Sequence, residues 1–434
     1  MDVLFTLALR NLVQARRRTA LIATALGLVT VLMTLLLSLS QGLGETLLTS
    51  ATTLSTGHVN VGGFFKLNAR DASGVVADAS KILAVIEKTL PDADYVTPRG
   101  RGWAKIVSSE GSMQSGIVGV DLDKEPHLLE RLQIQSGDAT QLADRGTALL
   151  FAAQAKKLTV AVGDVITLSI ETFTGQRNTA EVRVVAIARD MGLLSNWSVI
   201  VPNSTIREMY GLKRDTTGAF QVYLKDVDEA PAAMQKLAEA MVASGFRVMD
   251  HEAGPFWMKM DQVSSEDWTG QKLDVTTWDD EASFLKWVVT ALDTISFFLA
   301  AILLSIIGIG FMNTMWIAVR ERTPEIGTMR AIGMRRRRVL ALFLIEASVL
   351  GLVATGAGAL VGAAIALAID AAKIQVPYEA MRFILMSDVL HLAVQPAQLL
   401  LAVLAFTGIT ALAALWPAIR AARLSPVTAI GHAT

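Results

Sequence analysis

The stretch TALIATALGLVTVLMTLLLSLSQGL, residues 19–43, runs for 25 positions without a charged side chain. As a helix rising ~1.5 Å per residue it is ~37 Å long, enough to cross a ~30 Å hydrocarbon core with some tilt. Three further windows of this kind lie toward the other end: 294–319, 339–369 (interrupted only by Glu346) and 392–419. Core helices of a soluble protein do not account for three such stretches, so the spacing predicts an α-helical membrane protein with four transmembrane helices, one before and three after a large intervening segment. Arg16, Arg17 and Arg18 followed by Ser38-Leu39-Ser40 also fit a removable leader, but the apolar core of a leader is ~7–15 residues, and the first window is expected to stay as an anchor.

Composition agrees with a membrane assignment. Of 434 residues, 52% are apolar and only 18% charged, where ~25% charged is usual. Lys and Arg total 39 and Asp and Glu 40, a net charge of −1, which supplies no basic field for nucleic acid. With no cysteine, the chain carries no disulfide, thiolate zinc site, iron–sulfur cluster or Cys nucleophile.

Arginine placement sets the expected topology. Arg10 and Arg16 to Arg18 precede the first span, and segment 320–338 holds Arg320, Arg322, Arg330 and Arg335 to Arg338 against Glu321 and Glu325, seven positive charges to two negative. Segment 370–391 has Lys373 and Arg382 against Asp370, Glu379 and Asp388, with no positive bias. Both termini and segment 320–338 are therefore expected in the cytoplasm. The expected organisation is an amphipathic cytoplasmic or interfacial helix (1–18), span one (19–43), an extracytoplasmic domain (44–282), a stalk leading into span two (283–319) and a cytoplasmic loop (320–338). Span three (339–369), an outer loop (370–391), span four (392–419) and a cytoplasmic tail (420–434) complete it.

The large segment has ordinary globular composition and mixed α and β signals. Asp78 is placed to cap a helix with Ile82, Val85, Ile86 and Leu90 on one face, stopped by Pro91. Ile166, Leu168 and Ile170 alternate with polar residues, and Gly175 turns the chain toward Val182-Arg183-Val184, the pattern of a hairpin. Strands at 220–224 and 246–249 flank a helical face of Met234, Leu237 and Met241, which reads as a βαβ-like unit. Phe284, Trp287, Val288 and Ala291 suit a helical stalk over 281–293.

Signs of catalysis are missing. There is no Gly-x-x-x-x-Gly-Lys-Ser/Thr loop for a triphosphate, no His-Glu-x-x-His, and no Gly-x-Ser-x-Gly elbow; residues 111–116 read GSMQSG without that spacing. His58, His127, His251, His391 and His432 are scattered and read as satisfied or surface histidines. No catalytic, cofactor or metal residues are assigned, and the spans offer only Glu346 and Asn313 as interior polar candidates.

Segment 320–338 is more informative. Thr323 as N-cap, Pro324 in the first turn, Glu325 at the positive end and Gly333 as terminator predict a helix over 324–332. Ile326, Met329 and Ile332 then form an apolar ridge beside Glu325 and Arg330, either a helix that docks in a partner's groove or a charged connector that holds topology. Glu346 lies about 12 Å into the third window, where an ionised carboxylate costs ~2.5 kcal/mol or more, so it is expected at an interface. Gly358 and Gly362, with Gly351 behind them, allow close helix approach, within the chain or between two copies.

Residues 319–333, VRERTPEIGTMRAIG, resemble the signature loop of the FtsX/MacB/LolC superfamily of ABC-transporter permeases. The resemblance continues through Phe343-Leu344-Ile345-Glu346 and the Gly-spaced third span to PAIRAARLSPV at 417–427, and includes Leu7-Ala8-Leu9-Arg10-Asn11-Leu12. Leu158, Val162-Gly163-Asp164 and the following hairpin are similar to the outer domain of that group. The tail departs from the pattern by ending Ala429-Ile430-Gly431-His432 without the usual basic residue. The resemblance implies that Glu321, Pro324, Glu325, Ile326, Gly327, Met329, Arg330, Ile332 and Gly333 form a coupling helix. That helix would sit on a separate ATPase subunit, present in two copies and holding ATP and magnesium. It also implies a second permease subunit, identical or different, and a bacterial inner-membrane location with the large domain in the periplasm. The one-plus-three layout, with Thr56-Gly57-His58-Val59 and Thr277-Trp278, is similar to stand-alone LolC and LolE permeases, which extract lipoproteins and hand them to a carrier. A MacB-like permease working with a periplasmic adaptor, or an FtsX-like activator of a cell-wall hydrolase, is the alternative. MacB carries its ATPase in the same chain, and FtsX has a smaller outer domain.

Residues 254–260, GPFWMKM, with Trp268, stand apart. Phe256, Trp257, Met258 and Met260 read either as a cargo or partner surface or as residues packed under their own loop or at the membrane interface.

Overall fold

The computed structural model describes residues 2–14, 16–68, 72–172, 175–378, 381, 385, 387 and 389–424. The end of the closing motif from Ser425, the tail with His432, and Glu379, Arg382 and Asp388 of the outer loop lie outside the described residues. The chain divides into two compact units, Met1–Leu43 with Val289–Ile374 and Leu390–Thr434, and Gly44–Val288 with Gln375–Val389.

The first unit is helical. A helix at Asp2–Gln14 precedes span one, which belongs to the helix Arg16–Ala51; span two belongs to Ser283–Glu321, span three to Arg336–Ala371 and span four to Pro396–Arg423. These four helices are long and apolar enough to cross a membrane. The chain is thus an α-helical membrane protein with a large mixed α/β domain between the first and second of four transmembrane helices. Small residues bring the spans together: a Cβ on Gly358 would lie 2.5 Å from the Gly27 carbonyl oxygen, and one on Gly362 would lie 2.8 Å from Thr34 Cβ. The Gly-x-x-x-Gly stripe therefore packs within the chain, against span one, while Gly351 faces Thr407 and Thr410 of span four.

Thirteen strands are described in the second unit. They are β1 (Val59–Lys66), β2 (Ala72–Ser73), β3 (Val76–Ala77), β4 (Tyr95–Val107), β5 (Ser112–Val120), β6 (Ile134–Gly137) and β7 (Thr147–Phe151). β8 (Val165–Glu171), β9 (Arg177–Ala188), β10 (Ser198–Pro202), β11 (Thr216–Thr217), β12 (Ala219–Tyr223) and β13 (Gly270–Thr277) follow. The hairpin read from the sequence is β8–β9, with Ile166 opposite Val182 and Gly175 at φ +78°.

Two substructures share β4. Its first part, Tyr95–Arg99, pairs with β12 in an antiparallel sheet ordered β13-β1-β12-β4. Its second part pairs with both β5 and β8, and the ladders β5–β10, β10–β7, β7–β9 and β9–β8 close a six-stranded barrel. Closure leaves no free edge in that ring. Inward residues fill it: Ile106, Ile117, Leu150, Ile166, Leu168, Val184 and Val199 form one buried cluster.

The open sheet buries Val59, Val61, Phe220, Val222, Leu273 and Val275 under the helices Ala79–Thr89 and Ala230–Ala243. Because side chains alternate along a strand, the residues between them point to the other face. These are Asn60, Gln221, Tyr223, Asp274 and Thr276, with Thr97 and Arg99 on β4, and all are buried. The sheet thus carries an apolar face and a buried polar one.

Local readings are corrected in three places. Asp78 occupies the N-cap of Ala79–Thr89 in left-handed geometry without a side-chain cap, and Asp215 accepts from the Ser80 N–H at 2.8 Å instead. Residues 246–249 form no strand; only Val248 bridges to Leu273, parallel to β13, because Arg247 and Met249 bond to Leu273 from a single extended turn of chain. Residues 256–265 form a helix, Phe256–Ser265, after Pro255, in place of an aperiodic stretch.

Candidate functional site

The loop helix forms at Thr323–Ala331, with Pro324 in its first turn and Gly333 at φ +105° just beyond. Arg322, not Thr323, is the N-cap, because the Thr323 hydroxyl donates to the Val319 carbonyl of span two at 2.9 Å and is drawn into the helix. The ridge reading is corrected as well. Ile326 is 0% exposed and packs with Phe311, Met315 and Val319 of span two, Val339 and Phe343 of span three and Ala418 of span four. Met329 packs partly against that cluster, Gly327 is buried, and Arg330 donates to the Ala422 carbonyl at 3.4 Å. Of the ridge only Ile332 remains outside, 82% exposed. The exposed face is Pro324, Glu325, Thr328, Ala331 and Ile332, with Glu321 and Gly333 at its ends and Arg335 to Arg338 following. The inner face locks the helix to three spans, and the outer face is open to a partner.

Glu346 is nearly buried, and Arg322 Nη1 lies 3.3 Å from its carboxylate, while Arg322 Nε lies 3.7 Å from Glu325. Glu346 is thus charge-compensated, as a carboxylate at that depth requires. The N-cap of the loop helix is thereby tied to span three. Sequence reasoning named Glu346 but missed Arg322, because 24 residues and a turn separate them.

The second candidate lies in the α/β domain. Where β4 passes from the open sheet into the barrel, a cavity of about 770 Å³ opens. Phe256, Trp257 and Met260 line it and Met258, also exposed, does not. Trp103 of β4 and Trp197 before β10 complete an aromatic wall. Arg99, Arg101, Gln221 and Glu281 line it from the polar face of the sheet. Arg101 stacks over Phe256, its guanidinium carbon 4.4 Å from the ring centroid, and donates to the Gly218 carbonyl at 3.0 Å. Glu281 accepts from Thr276 at 2.9 Å and Asn60 at 3.2 Å, and burial raises its pKa against the pull of Arg101. Lys259 and Asp274 pair at 2.8 Å beneath. Trp103, Trp197 and the two arginines carried no sequence signal, since their meeting depends on β4 crossing between substructures.

The segments Thr56-Gly57-His58-Val59 and Thr277-Trp278 also meet. The Trp278 N–H donates to the His58 carbonyl at 3.1 Å, and His58 Nδ1 accepts from the Leu224 N–H at 3.0 Å. Thr277 and Asp280 form a capping box, and His251 lies 3.0 Å from Asp280. His127 sits against Glu130 and His391 against Asp370.

Known families and proteins match parts of this chain. The family described as MacB-like periplasmic core domain matches residues 19–240, and that described as FtsX-like permease C-terminal matches 297–426. The "Macrolide export ATP-binding/permease protein MacB" of Bartonella henselae is 25% identical over 363 residues, 82% of this chain and 49% of that protein. The protein of the same name from Shigella sonnei is 36% identical over 164 residues, 37% of this chain and 23% of its own. The chain spans about half or less of the length of these relatives. Among solved structures, the periplasmic region of MacB from Actinobacillus actinomycetemcomitans aligns with 52% of this chain and 91% of its own, at 14% identity and a TM-score of 0.30. With just over half of its length matched by the periplasmic core family and its last three spans by the permease family, the chain belongs to the FtsX/MacB/LolC superfamily of ABC-transporter permeases.

Proposed function

We propose that the chain is the membrane subunit of an ATP-driven transporter, passing motion from a separate ATPase to its α/β domain on the far side of the membrane to release lipoprotein or lipid cargo. The observation that carries this is the loop helix Thr323–Ala331, whose inner face is fixed by Ile326 and whose outer face, from Pro324 to Ile332, is open. A helix held rigidly from behind transmits a push from in front. ATP and magnesium belong to the ATPase, two copies of which serve a pair of permease subunits, homodimeric or heterodimeric. Arg16, Arg17 and Arg335 to Arg338 support a cytoplasmic side for the N-terminus and the loop helix, and a periplasmic side for the α/β domain. A bacterial inner-membrane location follows.

A second reading, export of a small molecule with a periplasmic adaptor, is favoured by the relatives whose names say macrolide export. Affinity purification from native membranes in mild detergent, with mass spectrometry of bound proteins, separates the two. An ATPase with a lipoprotein, a carrier or a second permease is expected. An ATPase with an adaptor moves the assignment to export, an ATPase with a cell-wall hydrolase to regulation, and no ATPase refutes the proposal.

A further inference from the structure

The cavity in the α/β domain has two walls of opposite chemistry and unmet hydrogen-bonding capacity in one of them. Trp103, Trp197 and Trp257 are 54%, 44% and 49% exposed, so three indoles stay half open around one space. Large aromatic side chains are seldom left so open together unless something apolar covers them. The polar wall holds Arg99 and Arg101, two positions apart on β4 and therefore on one face. Arg99 spends Nε on Glu125 at 2.7 Å and Nη2 on Glu125 and the Thr53 carbonyl, yet its Nη1 is buried without a partner. The Nε of Arg101 is also buried without a partner. Buried donors are almost always satisfied, and two adjacent exceptions in residues lining the same cavity call for an acceptor.

Charge points the same way. Glu125 is taken up by Arg99 and Thr97, and Asp274 by Lys259. Glu281, the remaining counter-ion of Arg101, is itself bonded to Asn60, Thr276 and the Phe256 N–H, and burial favours its neutral form. That leaves the Arg101 guanidinium as the under-compensated cation at the cavity wall. A volume of about 770 Å³ falls in the ~300–1,000 Å³ range of small-ligand sites.

We propose that this cavity binds an amphiphile with a single anionic head: its acyl or polycyclic body lies among Trp103, Trp197 and Trp257, and its carboxylate or phosphate accepts from Arg101 and Arg99. The proposal deepens the lipid-handling reading above, on which the source of the amphiphile rests; the binding itself does not require it. A fatty acid and an anionic phospholipid share the required chemistry.

The test uses the full chain in nanodiscs of zwitterionic lipid, a diazirine-bearing palmitic acid, its methyl ester and a diazirine-bearing phosphatidic acid, with adducts mapped by peptide mass spectrometry. Adducts on segments 100–118 and 255–260 are expected with the acid or the phosphatidic acid, stronger than with the ester by roughly tenfold or more. Arg101→Met is expected to bring the acid down to the level of the ester, and Gln114→Trp, an exposed lining position on β5, to reduce labelling by every probe. Labelling by only one of the two anionic probes supports the proposal and identifies the head group. Adducts confined to the spans, or equal labelling by acid and ester in the unsubstituted chain, overturn it, and neither comparison depends on a variant folding. Domain adducts in a chain that retains no ATPase would sustain the cavity and refute the permease proposal alone.

Discussion

Ile326 and Ile332 lie six residues apart on the same loop helix and its cap, but one is fully buried and the other 82% exposed. Replacing each therefore separates folding from docking. Ile326→Ala removes three carbons from a packed site between spans two, three and four, and core truncations of this kind cost ~2–5 kcal/mol. Ile332→Asp changes a surface position, where substitutions usually stay within ~0.5 kcal/mol of the parent. If the outer face seats on the ATPase, the new carboxylate is buried there without a partner. A penalty of ~3 kcal/mol then weakens association ~100-fold. Titration of purified ATPase onto the permease in nanodiscs reads the affinity, and thermal unfolding of the same samples reads stability. The expected pattern is normal unfolding with lost binding for Ile332→Asp, and a lowered transition for Ile326→Ala with binding retained in the folded fraction. Binding of Ile332→Asp within a few-fold of the parent would remove the docking assignment of this face.

Removing one member of the Glu346–Arg322 pair by Glu346→Leu should destabilise by ~3–5 kcal/mol, while adding Arg322→Met should recover most of it; equal losses in detergent unfolding for single and double variants would show that the two charges do not depend on each other. Gly358→Leu has no room against Gly27 and Thr30 and should cost ~1–3 kcal/mol through displaced spans, measurable as a lowered unfolding temperature, whereas Gly356→Leu, with nothing nearby, should be tolerated. Burial raises the Glu281 pKa above its ordinary 4.5, so the folded domain holds that proton longer than the unfolded chain does. The associated stability is complete below pH 4.5 and is lost as pH rises through the folded value. Glu281→Gln should gain stability relative to the parent as pH rises above 4.5 in tryptophan-emission unfolding curves, and parallel profiles would refute the assignment.

The four spans were legible because an uncharged run of 25 residues matches the thickness of a bilayer and far exceeds the apolar stretch a surface helix tolerates. The loop helix was legible from Pro324 and Gly333, whose backbone restrictions are local. Which side of that helix faces its own chain was not: a three-residue spacing of Ile326, Met329 and Ile332 describes a stripe and says nothing of its neighbours. The β8–β9 hairpin announced itself by alternation, whereas barrel closure rests on Ile106 pairing with Leu168, and no local pattern records a contact over that separation. The buried polar face of Asn60, Gln221, Asp274 and Thr276 reads in sequence as the solvent side of ordinary strands. For the same reason the cavity was half visible: Phe256 and Trp257 stand out as apolar residues out of pattern, but Arg99 and Arg101 look like surface residues.

The thirteen-residue strand β4 is a member of both the open sheet and the barrel. No flexible connector along β4 lies between the two substructures, so one cannot swing away from the other without bending a strand that is paired at every residue, with β12 over Tyr95–Arg99 and with β5 from Gly100 to Val107. Gly100 and Gly102 within it have no space for a side chain, with Asn203 and Tyr210 packed over them, which removes the pliancy that glycine would otherwise lend. Amide exchange along β4 should accordingly be slow and uniform, and the two halves should lose protection together rather than one after the other.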